Sequence, residues 1–200
     1  MAWNPVPARA KACTAGTFAV LALTLSACRM PWTIRAIESQ ESASTGAPFD
    51  AAKFAAAIWD SQVVPAASAA PEFAWARGAR GPMLVKGTGR VLEIDRSRNR
   101  LLLDVAPFDG KPDAELATGQ IHGTALRDSL PFVQFSQFVN QVDFAYAANA
   151  LDDRAAAAAS AALAGVTTGR LLFFAGALDP GSGGLPEIVP VILSRGAARP

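Results

Sequence analysis

Residues 83–105 read MLVKGTGRVLEIDRSRNRLLLDV, and this stretch decides the fold. Apolar side chains alternate loosely over residues 83–95, a polar turn follows, and residues 101–105 form a returning apolar run. Apolar runs on both sides of a polar turn predict a β-hairpin. Gly87 and Gly89 lie inside the first strand, which indicates a bulge or a sharp bend. The hairpin predicts a sheet, and the fold class depends on the elements that follow it.

Downstream of the hairpin, the sequence predicts a third strand, a helix and two more strands. The third strand is predicted at Gly119–Leu126, and the last two at Arg170–Ala175 and Glu187–Leu193. Between them, residues near 132–151 have a helical period, and an alanine-rich run continues this propensity until Gly165. The predicted apolar face of the helix consists of Phe135, Phe138, Val139, Val142, Ala145, Tyr146 and Asn149.

The order of three strands, one helix and two strands is that of the OB-fold, a five-stranded Greek-key barrel. We therefore predict an α+β fold over residues 82–200, an OB-like barrel with a long helix between strands three and four. A helical segment over residues 49–81 is predicted to precede it. Its first helix is predicted over residues 50–64, with Asp50 as the expected N-cap and Pro65 as the expected stop, and a second short helix is predicted over residues 66–76.

The N-terminus has the pattern of a secretory signal. Arg9 and Lys11 precede an uncharged, apolar run that extends to Ala27 and is too short to span a bilayer. The run ends in Leu-Ser-Ala-Cys, which resembles the lipobox of bacterial lipoproteins and implies that Cys28 becomes the lipidated first residue. The alternatives are an ordinary signal peptide with a chance cysteine, or a buried apolar segment. We predict a signal peptide over residues 1–27, and a lipidated N-terminus with a flexible tether over residues 28–48.

The rest of the composition limits which compartment and which partners are expected. Removal of residues 1–27 from the 200-residue chain leaves 173 residues and changes the net charge from +1 to −1, because Arg9 and Lys11 are lost. This balance argues against a nucleic-acid partner. Cys28 is then the sole cysteine, so no disulfide or cysteine metal site is expected. The sequence predicts lipid anchoring on the periplasmic side of a bacterial membrane, and the lack of aspartate after Cys28 favours the outer membrane.

Catalytic residues are hard to find in this sequence. His122, predicted on the third strand, is the sole histidine, so a zinc site or a Ser-His-Asp triad has little support. Asp152 and Asp153 are adjacent on the predicted helix, where neighbours point in different directions, and are expected on a solvated face. The sequence therefore predicts neither an enzyme nor a metal or cofactor site.

Four polar residues near the start of the predicted helix are the candidate site: Arg127, Asp128, Asn140 and Gln141. Their donors and acceptors could converge on a sugar or polyol, or on a protein partner. The alternative is structural: Arg127 and Asp128 would cap the helix or pair with each other, and the amides would satisfy loop backbone. The nearby aromatic residues, Phe132 to Tyr146, are expected to belong to the core rather than to a sugar-stacking surface.

The segment GTALRDSLPF, residues 123–132, running into FVNQ, residues 138–141, resembles a family of predicted periplasmic lipoproteins, domain of unknown function 2291. Phe49-Asp50-Ala51 and residues 186–191, PEIVPV, carry the same resemblance. It implies an OB-related barrel with a helical part. Genes of this family often lie beside those of sugar-type ABC transporters, which implies a transport-accessory or ligand-sensing role.

Two functional hypotheses follow. The first is a non-enzymatic, lipid-anchored accessory of a sugar-type ABC uptake system, which contacts a permease or a solute-binding protein or binds a small sugar-like ligand. The second is a structural envelope lipoprotein that binds another protein or a cell-wall polymer. An exposed apolar patch would favour a protein partner, and a concave polar pocket near Arg127 and Asn140 would favour a ligand.

Overall fold

In a computed structural model, the chain is described over residues 48–76, 78–181 and 183–196. These residues belong to one compact unit, residues 46–200. The predicted signal peptide, Cys28 and nearly all of the predicted tether lie outside the described residues. Within the described ranges, no helix combines the length and the apolarity needed to cross a bilayer.

The described chain begins with helical elements, continues into three strands, and ends with two strands after a long helix. The helices are α1 (Ala51–Ile58), α2 (Val64–Ser68), α3 (Ala125–Asp128) and α4 (Gln141–Leu163), with a π-helical stretch at Trp59–Val63 and 3₁₀ turns at Phe73–Ala76 and Phe135–Gln137. The strands are β1 (Met83–Asp95), β2 (Arg100–Val105), β3 (Ala114–Ala117), β4 (Leu171–Asp179) and β5 (Glu187–Arg195).

The five strands close into a barrel in the order β1-β2-β3-β5-β4. The length of β1 makes closure possible, because residues 83–90 pair with β4 and residues 89–95 pair with β2. All pairs are antiparallel except β3 with β5. The predicted hairpin, the five-stranded OB-like barrel, the long helix between strands three and four and the helical segment before the barrel are thereby confirmed.

Two apolar clusters hold this architecture together, and the two-residue period of the strands separates them. On β4, Leu172 and Phe174 belong to the cluster inside the barrel. Ala175 and Ala177 belong to a second cluster with Leu151 of α4 and with residues of α1. The helical segment and α4 therefore cover one outer side of the barrel, where small alanine side chains permit close approach.

The predicted third strand at Gly119–Leu126 is wrong. The third strand is Ala114–Ala117, and residues 118–124 form a loop that contains His122 before α3 begins. Alanine and glutamate have weak strand propensity, so this four-residue strand gave little signal. Its strand state comes from pairing with β2 on one side and with β5 on the other.

The predicted start of the long helix is also wrong by about two turns. Residues 135–137 form a 3₁₀ turn, and α4 begins at Gln141 with Asn140 as its N-cap. The Asn140 side chain accepts from the Asp143 amide, which satisfies one of the unpaired donors at the helix start. The predicted continuation through the alanine run is confirmed, since α4 extends to Leu163.

Two smaller expectations need correction. Pro65 does not end the helical segment, because it lies in the first turn of α2, where a missing amide hydrogen is tolerated. The register shift between β1 and β2 lies between Val91 and Glu93 rather than at the two glycines. Gly87 is needed for another reason: an added Cβ there would lie 3.0 Å from the ring of Phe174.

Candidate functional site

Arg127 and Asp128 lie on the short helix α3, not at a strand end, and they pair with each other. The guanidinium Nη2 and Nε of Arg127 donate to Asp128 Oδ1 at 2.7 and 2.9 Å. Nη1 donates to the carbonyl of Phe144 on α4 at 3.2 Å, and the guanidinium lies over the Phe144 ring. The Arg127 side chain is only 11% exposed, so it ties α3 to the first turn of α4 and offers few free donors.

Asn140 and Gln141 lie at the start of α4, as predicted. Asn140 accepts from the Asp143 amide at 2.8 Å and donates to the Asp143 carboxylate at 3.2 Å. Gln141 is exposed. The hydrogen bonds of Arg127 and Asn140 thus end on neighbouring residues of one helical turn, Phe144 and Asp143, without joining the two side chains directly.

An exposed apolar patch borders these polar residues, and we define it as Phe135, Val139, Val142 and Tyr146. Val139 is 76% exposed and Val142 is 56% exposed. Val142 and Tyr146 are four residues apart on α4 and therefore lie on one face. The sequence predicted Phe135 and Tyr146 in the core, and all four side chains on the apolar face of the helix. Both predictions are wrong for these four residues, whereas Phe132, Phe138 and Phe144 do pack against the core.

Aromatic ring contacts connect Phe135 of the patch to Phe49, which lies near the start of the described chain. The Phe138 ring lies 5.4 Å from that of Phe49 and 5.2 Å from that of Phe144. The Phe135 ring contacts Phe144 as well, at 5.5 Å. Phe49 therefore belongs to the same aromatic cluster as Phe135.

Asp152, expected on a solvated face, is 2% exposed, whereas its neighbour Asp153 is exposed. Its Oδ2 atom has no hydrogen-bond partner among the described residues. Burial raises the pKa of Asp152 to about 7, with the carboxylates of Asp153 and Glu187 adding repulsion and Arg127 acting weakly in the opposite direction. The sequence signal for this burial was weak, because Asp152 shares the buried face of α4 with alanines such as Ala148, four residues earlier.

A small cavity of about 30 Å³ lies against Asp152. It is formed where the loop before α3, the middle of α4, the end of β4 and the start of β5 meet. Its polar lining consists of His122, Asp152, Asp179 and Glu187. Across the part of the chain that the structure describes, no group of three or more histidine, cysteine or carboxylate residues has the arrangement needed for a metal ion.

Two further candidates for chemistry, His122 and Asp153, are exposed. A second, larger cavity of about 420 Å³ lies at a barrel end between residues 73–79 and 178–186, with a mostly apolar lining that includes Leu178 and Leu185. These positions give no arrangement of a nucleophile with an orienting base.

Comparison with protein families identifies the relationship. The family model described as predicted periplasmic lipoprotein, DUF2291, matches residues 74–194. The chain belongs to this family. Membership places it in the periplasm as a lipid-anchored protein. The match covers α4 and the five strands except for the last residue of β5. The family description names a location and no reaction.

A search of solved structures supports the same fold. The crystal structure of an OB-fold protein from Thermotoga maritima is similar, with a TM-score of 0.60 at 15% identity. The match covers 75% of this chain and 100% of that chain. At this level of identity the likeness establishes the fold alone. Among curated proteins, none matches the sequence significantly.

Proposed function

We propose that this member of the DUF2291 family is a non-enzymatic accessory of a sugar-type ABC uptake system, anchored by lipid on Cys28. It would bind the permease or the solute-binding protein of that system. The family's gene neighbourhoods support the link to sugar transport. Lipidation of Cys28 by two or more acyl chains, palmitate among them, would hold the protein stably at the membrane.

The observation that carries this proposal is the apolar patch of Phe135, Val139, Val142 and Tyr146. Four large apolar side chains within residues 135–146 are each about half exposed or more. Exposed apolar side chains bordered by polar groups are typical of a protein-binding site. The Phe135 ring contacts Phe144, which contacts Phe138, and these two residues pack against the core, so ring contacts tie Phe135 of the patch to the core.

The four predicted site residues fit the border of this surface better than a ligand pocket. Asp128 and Gln141 are exposed, and Asn140 is between Val139 and the first turn of α4. Arg127 is occupied by Asp128 and Phe144. Polar groups around an apolar centre exclude water and provide specificity at protein interfaces. We therefore assign Asp128, Asn140 and Gln141 to partner contact, and Arg127 to holding this surface together.

The position of Phe49 supports a partner at or near the membrane. Cys28 precedes Phe49 by 21 residues, and Phe49 lies against Phe138 beside the patch. A flexible tether of this length has a root-mean-square span on the order of 25 Å. Lipid on Cys28 would therefore keep the patch within reach of membrane-associated transport components.

The test is co-isolation of the lipidated protein from cells that express the adjacent transporter. The wild type would be compared with a Val142→Glu, Tyr146→Glu double variant, in which charge replaces the centre of the patch. The control is Ala157→Glu, at an exposed α4 position away from the patch. We expect permease or solute-binding protein with the wild type and the control, and at least a tenfold loss with the double variant, about 1.4 kcal/mol or more.

Two results would contradict the proposed contact. Recovery of cell-wall polymer or of unrelated envelope proteins, with no transporter component, would favour the structural envelope lipoprotein. Equal recovery of the transporter with all three proteins would place the contact elsewhere on the surface. Each variant must first be shown to carry lipid on Cys28 and to be folded.

A further inference from the structure

We propose that the cavity lined by His122, Asp152, Asp179 and Glu187 is a binding site for the primary ammonium group of a small ligand. The cavity is separate from the apolar patch and uses residues that the proposed partner contact does not. The proposed ammonium site is therefore independent of the proposed transport role, and failure of one proposal would leave the other unaffected.

Four elements bring the lining residues together. His122 and Gly123 come from the loop before α3, Asp152 comes from α4, Asp179 ends β4, and Glu187 begins β5. Asp179 and Glu187 are direct partners in the β4–β5 register. The buried carboxyl of Asp152, with Oδ2 lacking a partner in the described chain, completes the lining from the helix side.

The charges around the cavity favour a cation. Glu187 forms an ion pair with Arg100, and Arg127 is paired with Asp128, so Arg127 offsets the charge around Asp152 only weakly. The Asp179 carboxylate accepts from the Gly181 amide and forms no ion pair with a described cation. The site thus presents acceptors and excess negative charge, while its lining offers few donors.

The size of the cavity limits what can enter. A volume of about 30 Å³ admits a group the size of one or two water molecules, such as an ammonium group, but no sugar ring. The body of the ligand would extend outward over the exposed His122–Gly123 loop. An ammonium group offers three donors and no acceptor, which complements carboxylate oxygens.

Protonation gives the site a characteristic pH dependence. The pKa of Asp152 is raised to about 7, and only its carboxylate form attracts a cation. The groups that face Asp152 are Asp153 on its own helix, Glu187 and Asp179 on the strands, Arg127 on α3 and His122 on the loop. Affinity for an amine should rise about tenfold from pH 6 to pH 8, because proton competition for one carboxylate disappears over that interval.

The experiment is calorimetric titration of the full lipidated protein in detergent with n-butylamine, and with n-butanol as the neutral probe of matched shape. Asp152→Asn removes the charge but retains the shape, and Asp153→Asn is the matched control on the exposed side of α4. We expect butylamine to bind at pH 8 and butanol not to bind. Asp152→Asn should lose binding at least tenfold, while Asp153→Asn should change it less than twofold.

Several outcomes would overturn the proposal. Butanol binding as tightly as butylamine would show that charge is not recognised. Equal effects of Asp152→Asn and Asp153→Asn would place the amine elsewhere, and so would affinity that does not change between pH 6 and pH 8. Absence of butylamine binding at millimolar concentration, or binding of calcium chloride alone, would exclude an ammonium site.

Discussion

The guanidinium carbon of Arg127 lies 3.7 Å from the centroid of the Phe144 ring, and the same guanidinium donates to the Phe144 carbonyl. One side chain on the four-residue helix α3 therefore contacts both the ring and the backbone of one residue on α4. This relationship positions the start of α4, and with it the polar border and the apolar patch.

Replacement of Arg127 should loosen this junction. Arg127→Lys loses the planar fork that serves Asp128 and Phe144 together, so we expect a loss of about 1 to 3 kcal/mol in the free energy of unfolding. Arg96→Lys, in the exposed turn after β1, should change stability by less than about 0.5 kcal/mol. Urea unfolding of both variants measures the difference. Equal stability of the two variants would mean that the contact with Phe144 is not stabilising.

Asn140 should stabilise the protein because its side chain caps α4, and not because the side chain is an amide. Asn140→Ala should cost about 1 kcal/mol, and Asn140→Asp or Asn140→Ser should restore most of it, because these side chains also accept from the Asp143 amide. Gln141→Ala, next in sequence and exposed, should be close to neutral. Thermal unfolding followed by circular dichroism tests the series. If Asn140→Asp were as unstable as Asn140→Ala, capping would be the wrong explanation.

Asp152 should make the folded protein less stable as the pH rises. Its pKa is raised from 3.8 to about 7 by burial, so the folded state holds the proton more tightly than the unfolded state. The stabilisation of the folded state by protonated Asp152 is fully present below pH 4 and is lost as the pH rises through 7, and this loss is on the order of 4 kcal/mol in the free energy of unfolding.

Asp152→Asn should therefore be more stable than the wild type at pH 8 and should lack this decline between pH 4 and pH 7. Asp153→Asn should keep the decline. Chemical denaturation at several pH values measures it. A wild-type profile that matches that of Asp152→Asn would show that Asp152 is ionised in the folded protein at the same pH as in the unfolded chain.

Gly176 should tolerate no side chain. A Cβ at this position on β4 would overlap the carbonyl oxygen of Val189 on β5, where the register between these strands shifts. The backbone of β5 is held in the closed barrel and cannot move freely. Gly176→Ala should therefore lower the free energy of unfolding by about 3 kcal/mol or more. Gly184→Ala, in the open loop between the strands, should be tolerated because nothing lies near the added atom. Soluble yield and thermal midpoint of the two variants give the comparison.

The parts of the fold that follow from local pattern were predictable from the sequence. The β1–β2 hairpin has alternating apolar residues around a polar turn, and the alanine run of α4 has intrinsic helix propensity. β3 was not predictable, because Ala114–Ala117 becomes a strand through its neighbours β2 and β5 rather than through its own residues. The start of α4 was missed because Phe135 and Phe138 extend the apolar period past the cap at Asn140.

The candidate site was predictable in its residues more than in its geometry. Pairing of Arg127 with Asp128 was one of the two alternatives that the sequence left open, and the structure shows that pair. The contact of Arg127 with Phe144 was not predictable, because it depends on how α3 packs. The burial of Asp152 was missed because alanine gives a weak contrast between the two faces of a helix. The apolar patch was missed because Val142 and Tyr146 have the helical spacing that predicts a core-facing side. The fold leaves that side of α4 uncovered.

The central claim is that the apolar patch binds a component of a sugar-type ABC transporter. Its most direct test is in-cell photo-crosslinking from position 142 of the lipidated protein, with position 157 as the control site on the same helix, followed by identification of the captured proteins. We predict that permease or solute-binding protein is captured from position 142 and not from position 157. Capture of no transporter component from position 142, in cells that express the adjacent system, would contradict the account.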